Sequence, residues 1–236
     1  MTADMHLRKR NSLALASGIA ITGILFWVLF SSFDRKLVGL AREYDRSASP
    51  LHRFLELIDP LMELLSHGST LLFCSVVLFL IGGLLRVRLA VVGKKLIQGF
   101  FFSGVAAQIL KHLCGRARPR VTDDTVFVGL SLRDSYHSFP SGHTSVAFCF
   151  ASILSHYFPG LRALWYLSAA FVGFERIEDL KHFPSDVLAG ALLGVLVAKL
   201  LLTTSRETKP MKLDCFDSSN IVFLLISSAL LISRLI

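Results

Sequence analysis

The chain has 236 residues, 53% of them hydrophobic, a formal net charge of +8 and a mean hydropathy of +0.60. That length holds one domain, or one domain with a small appendage, and the hydropathy excludes an ordinary soluble protein. The positive charge has no polar, aromatic-studded basic domain behind it, which excludes nucleic acid as a partner.

In chain order, Arg8, Lys9 and Arg10 precede an apolar stretch at 13–33. It is too long for a signal-peptide core and no convincing A-x-A site follows, so it reads as a retained span. Residues 34–69 form an amphipathic outer loop. Leu51, Phe54, Leu55, Ile58, Leu61, Met62 and Leu65 recur at helical spacing against His52, Arg53, Glu56, Asp59 and Glu63. Ser49–Pro50 and Asp59–Pro60 each pair a capping residue with a first-turn proline, predicting two short interfacial helices with a bend near Pro60. They either admit a lipid laterally or simply cover the bundle top.

Further apolar stretches lie at 70–85, 96–110, 144–158, 161–174, 187–202 and 221–236. A span needs about 20 residues, so 96–110 and 161–174 require flanking residues to cross. The expectation is an all-α polytopic membrane helix bundle with six core transmembrane helices over 1–202. A polar linker at 203–220 and an apolar segment that spans, lies at the interface or packs on the bundle complete the chain. Arg86, Arg88, Lys94 and Lys95 fill the link after the second stretch, and Lys199, Arg206, Lys209 and Lys212 follow the sixth. By the positive-inside rule these clusters and the N-terminus are cytoplasmic, and loops 34–69, 111–143 and 175–186 face outward. Cys74, Cys114, Cys149 and Cys215 are scattered, with Cys114 in an outer loop, and suggest neither a disulfide framework nor a metal site.

Three outward patches over 111–190 carry the chemistry. In KHLCGRARP, Lys111 and Arg118 stand seven apart where the third helix closes, with Pro119 as its stop. Either cation alone is most often a snorkelling anchor. In FPSGHTS, the specified tetrapeptide PSGH arises by chance in a chain this long roughly once in a thousand. Ser141, Gly142 and His143 sit where the fourth helix begins, so backbone N–H groups and the positive dipole end suit a phosphate. Lys111, Arg118 and Arg176 add three cations for a dianionic phosphoryl group. No Gly-rich nucleotide loop and no magnesium-holding cluster is present, so no cofactor and no metal is expected. In RIEDLKHFPSDVLAG, His182 and Asp186 are four apart and Ser185 is placed as the helix cap. An Asp186 carboxylate bonded to the imidazole would fix its tautomer, leaving the other nitrogen to attack phosphorus. His143 is then available as the acid for the leaving oxygen.

At these residues the sequence resembles the type 2 phosphatidic acid phosphatase family, whose pattern runs K-x6-RP, PSGH and SR-x5-H-x3-D. Here that is Lys111 to Arg118–Pro119, then Pro140–His143, then Arg176, His182 and Asp186, with every spacing matched. The resemblance implies that Lys111, Arg118, Ser141, Gly142 and Arg176 bind phosphate. It also implies that His182 is phosphorylated, Asp186 orients it, and His143 is general acid and then activates water. Glu175 replaces the family serine before the third-motif Arg and is expected to turn aside or pair with a neighbouring cation. With Glu178, Asp179 and Lys181 it reads as a rim charge.

The expectation is an integral membrane lipid phosphatase in a bacterial inner membrane, its site facing the periplasm or exterior. The family's substrates include phosphatidic acid, phosphatidylglycerophosphate, undecaprenyl diphosphate and lipid A. An anion transporter or channel with basic residues along its path is the competing class. Its weakness is that the ionisable residues gather at one end of the spans.

Overall fold

The structure, a computed structural model, describes residues 31–43, 57, 68–85, 89–122 and 124–204. The first span apart from its last residues, most of the amphipathic loop, Arg86, Arg88 and everything after Thr204 lie outside the described residues.

Among the described residues the main helices are α1, described over 31–43, α2 (Gly68–Leu84), α3 (Leu89–Cys114), α4 (Gly142–Tyr157), α5 (Arg162–Glu178) and α6 (Pro184–Thr203). Among the described residues there is no strand, only an isolated antiparallel bridge between Arg116 and Phe127. α4 is the hub, packing on α3, α5 and α6, while α2 packs on α3.

Close approach of α4 and α6 follows from small residues. A Cβ on Gly190 would run into the Ser141 carbonyl, and one on Gly194 into the Ser145 carbonyl. Glycine at these positions lets the two backbones lie nearly in contact, as small-residue faces do where helices associate in lipid. The main apolar core, including Val92, Leu96, Phe150, Ile153 and Ala198, fills the α3, α4 and α6 ends away from His182. A smaller cluster of Ala147, Ala151, Ala169 and Val172 joins α4 to α5.

The outer surface is itself apolar. Leu188, Leu192, Leu196 and Leu200 recur every four residues on α6 and are all exposed, at 48–66%. Phe101, Phe102, Val105, Ile109 and Leu113 do the same on α3. Stripes of this length are unfavourable in water and matched to hydrocarbon. α3 and α6 are long and apolar enough to cross a membrane.

Several boundaries differ from expectation. α3 begins at Leu89, seven residues before the apolar stretch, and runs for 26 residues. It ends at Cys114, making that cysteine helical rather than a loop residue. Gly115 supplies the stop through a left-handed φ of 56°, well before Pro119. α5 continues to Glu178, so Arg176 is helical. The cap of α6 is Phe183 rather than Ser185, because Pro184 suits the first helical position and the Asp186 carboxylate accepts the Phe183 N–H at 2.8 Å.

Candidate active site

The Gly115 turn sends the chain away from α3 and folds residues 116–141 back over the bundle end. Ala117 N–H donates to Val126 O, Arg118 N–H to Ser135 O and Ser138 N–H to Arg116 O, each at 2.9–3.0 Å. This loop delivers Arg116, Arg118 and Ser138 to the heads of α4 and α6. The His182 N–H donates to Arg176 O at 3.1 Å, tying the third patch together from the other side.

His182 is buried in the link between α5 and α6. Its Nδ1 lies 2.7 Å from the Ser138 carbonyl oxygen and 3.9 Å from Asp186 Oδ2. A carbonyl only accepts, so Nδ1 carries the proton and Nε2 keeps its lone pair. The bond that sets the tautomer therefore comes from the loop and not from Asp186. Asp186 works one step back: its Oδ2 accepts Ser138 Oγ–H at 2.5 Å as well as the Phe183 N–H, and its Oδ1 accepts from Arg116 Nη1. It fixes the residues on both sides of His182.

Arg116 is only 2% exposed and joins three elements. Besides Asp186, it donates to Ser185 Oγ at 2.6 Å, Asp34 Oδ2 at 2.7 Å and Thr125 Oγ1 at 3.3 Å. Its guanidinium lies 4.2 Å from the Phe183 ring centre and 5.3 Å from that of Phe127. Asp34 on α1 closes the cluster, accepting the Ser185 N–H at 2.9 Å and its hydroxyl at 2.5 Å. Ser185 thus serves this network instead of capping the helix. Arg116, Asp34 and Ser138 are absent from the motif reading. The sole sequence signal was a second arginine in GRARP.

The other site residues gather around His182. Lys111 Nζ would lie 3.5 Å from a Cβ on Gly142, which puts the ammonium over the first turn of α4. The first intrahelical bond of α4 runs from Ser145 N–H to Ser141 O, so the Gly142 and His143 amides precede the hydrogen-bond ladder. Ser141 behaves differently from expectation. Its N–H donates to Asp186 O at 3.0 Å and its hydroxyl pairs with Thr144 at 2.8 Å, so it fastens α4 to α6.

Two of the cations meet carboxylates. Arg118 donates from Nε to Asp134 O at 3.0 Å and from Nη2 to Asp134 Oδ1 at 2.9 Å. Arg176 is buried and donates to Glu175 Oε1, while Asp179 Oδ2 lies 3.8 Å away. Glu175 therefore pairs with the neighbouring cation, but it is buried and not a rim charge. Asp179 and Lys181, by contrast, are partly exposed and bond each other at 2.6 Å.

Burial pushes the His182 imidazole well below its usual 6.5, and the charges of Lys111 and Arg118 push it further; the Ser138 carbonyl opposes them. His182 is neutral in the fold at pH values where an unfolded chain has begun to protonate. Since the unfolded chain binds the extra proton, this group's share of stability is complete above 6.5 and is lost as pH falls towards the folded value. In the free enzyme, the acid limb of kcat/KM belonging to His182 is expected below 6.5, and Arg118→Gln should move it upward. A pH–rate profile with that limb above 6.5, unmoved by Arg118→Gln, would contradict this assignment.

The PAP2 superfamily profile matches residues 93–209, which takes in all three patches. A lipid A 1-phosphatase of Rhizobium etli is 35% identical over 106 residues, 44% of this chain and 46% of that protein. The match therefore spans about half the length of that curated relative. Among solved structures, Aquifex aeolicus LpxE superposes with a TM-score of 0.55 at 30% identity, covering 70% of this chain and 93% of that one. The transmembrane PAP2-type phosphatidylglycerolphosphate phosphatase of Bacillus subtilis does so with a TM-score of 0.56 at 24% identity, over 81% of this chain and 98% of that one. That second likeness bears on the fold.

Proposed function

This chain belongs to the PAP2 superfamily, and we propose that it is an integral membrane lipid phosphatase working through a phosphohistidine. The observation that carries this is His182: neutral, buried, its Nδ1 held by a backbone carbonyl, beside a helix N-terminus and a lysine. In the first step Nε2 attacks phosphorus, the P–Nε2 bond forms and the P–O bond to the lipid breaks. His143 gives the departing oxygen its proton. In the second step His143 takes a proton from water, the water oxygen attacks phosphorus, and the P–Nε2 bond breaks to release inorganic phosphate.

Lys111, Arg118, Arg176 and the Gly142 and His143 amides hold the phosphoryl oxygens as charge builds on them. Their positive charge does the work a divalent cation would otherwise do, so the reaction runs without a metal. The carboxylates of Asp134 and Glu175 keep two of these cations aligned until the more highly charged phosphoryl group draws them away.

The most useful test is phosphate release by the purified protein from lipid A 1-phosphate, phosphatidylglycerophosphate, phosphatidic acid and undecaprenyl diphosphate. The lipid A substrate comes first because a relative at 35% identity bears that activity in its name. Turnover should be unchanged by EDTA and inhibited by micromolar vanadate, a mimic of pentacoordinate phosphorus. No release from any of the four lipids, or activity lost to EDTA and restored by magnesium, would overturn the proposal.

A further inference from the structure

A second polar site lies at the opposite end of the same helices. A cavity of about 640 Å³ opens between the C-terminal halves of α4 and α6 and the start of α5, lined by Ser152, Ser155, His156, Arg162, Tyr166 and Lys199. Ser155 stands twelve residues beyond His143 on α4, roughly 18 Å along the axis, so this cavity is separate from the phosphoryl-transfer site.

Its charge is one-sided. α4, α5 before Glu175 and α6 beyond Asp186 contain no Asp or Glu, whereas Arg162, Lys199 and His156 all border the cavity. Among the described residues neither Arg162 nor Lys199 forms an ion pair. Solvated anchoring cations would account for that much. Ser155 is a different matter: it is 4% exposed, lines the cavity, and its hydroxyl has no hydrogen-bond partner. A buried hydroxyl left unbonded costs about 1–3 kcal/mol, which a ligand acceptor removes. Ser152 donates to Phe148 O at 2.7 Å, so the neighbouring Tyr166 hydroxyl donates to Ser152 Oγ at 3.1 Å and Ser155 is the hydroxyl left for a ligand. Val195 and Leu202 make the rest of the wall apolar.

We propose that this cavity binds the phosphodiester headgroup of an anionic phospholipid from the leaflet opposite the active site. Arg162 and Lys199 neutralise the phosphate, the Ser155 hydroxyl donates to one of its oxygens, and the acyl chains leave over Val195 and Leu202. An amphiphile suits a wall that is cationic at one side and apolar at the other; a small hydrophilic anion has no use for the apolar part. The site rests on the membrane placement above and not on the phosphatase chemistry.

The test is native mass spectrometry of the full chain in neutral detergent, offered equimolar dioctanoyl phosphatidylglycerol and dioctanoyl phosphatidylcholine. One phosphatidylglycerol should be retained in preference. Arg162→Gln and Lys199→Gln should each weaken retention about fivefold, as expected for one cation near an anionic lipid. Lys111→Gln, at the other site, should keep the adduct. Ser155→Val, which keeps both cations, should also weaken it. Phosphatase turnover in detergent should stay at the parental rate in the Arg162 and Lys199 variants, so a fold defect and a failed phosphatase assignment each register separately. The proposal is overturned by equal retention of the two lipids, or by loss in Lys111→Gln alone. It is also overturned by displacement with millimolar inorganic phosphate, which would mark a free-phosphate site. Retention only after removal of residues 205–236 would make the chain's own tail the occupant.

Discussion

His182→Ala is expected to abolish lipid dephosphorylation, lowering turnover by about four orders of magnitude or more, while the helix bundle survives. Losses of that size follow removal of a covalent nucleophile, because the remaining groups bind and polarise a phosphate that nothing attacks. The structural cost is smaller. The variant loses the Nδ1–H donor to the Ser138 carbonyl, and a single neutral hydrogen bond is worth about 1 kcal/mol. Thermal unfolding should shift by only a few degrees. With a 32P-labelled lipid phosphate, the parental enzyme quenched mid-turnover should carry acid-labile, base-stable label, and the variant none. His143→Ala should behave differently, since the nucleophile remains while both proton transfers fail: turnover falls, label still forms but more slowly, and the label that forms decays more slowly than in the parental enzyme. Near-normal phosphate release from His182→Ala would sink the nucleophile assignment.

In the proposed mechanism the burial of His182 is compatible with its role. A buried imidazole under positive charge resists protonation, which keeps it nucleophilic but would let it rotate or change tautomer if unanchored. The anchor is a main-chain carbonyl, whose position depends on how loop 116–141 is folded. That fold is held by Asp186 through Ser138 and Arg116. Asp186 thus grips both the loop carrying the anchor and the backbone beside His182, which in the proposed mechanism makes it a positioning residue.

Much of this was legible in the sequence where chemistry and spacing coincide. Lys111, PSGH, Arg176 and the His182–Asp186 pair point to the PAP2 superfamily because each is local and rare. Hydropathy locates the cores of α2 to α6, because a bilayer span needs a continuous apolar run. Boundaries were less readable. Gly115 ends α3 through its backbone conformation, and Pro119 four residues on is the louder signal. Likewise, Ser185 looks like the better cap in isolation, but its hydroxyl is claimed by Asp34, 151 residues away in sequence. Long-range pairing leaves no periodicity to read. Arg116 and Arg118 are two apart and chemically alike, yet one is sealed between two carboxylates and the other faces the site mouth beside Asp134. Only the left-handed turn at Gly115 decides which is which.

Arg116→Ala should therefore be as damaging to the enzyme as loss of the nucleophile, by a different route. It strands the Asp34 and Asp186 carboxylates together in a site where both are essentially inaccessible to solvent. Removing one partner of a buried ion pair costs about 3–5 kcal/mol, because the remaining charge is uncompensated, and here two remain. It also empties the space between the Phe183 and Phe127 rings. The expected outcome is a fall of ten degrees or so in unfolding temperature, about 4–8 degrees per 2 kcal/mol in a domain of this size. Activity should fall at all temperatures, because Ser138 and His182 lose their common support. Arg116→Lys keeps a charge but cannot fork between two carboxylates, so it should recover only part of the stability. Asp34→Asn alone should be mild, since Arg116 and Asp186 remain paired. The two-site comparison decides the matter: Arg116→Ala combined with Asp34→Asn should be less destabilised than the two single losses added together, by about 1 kcal/mol or more. Strict additivity, with wild-type unfolding in Arg116→Ala, would mean that α1 is not tied to α6 through this arginine.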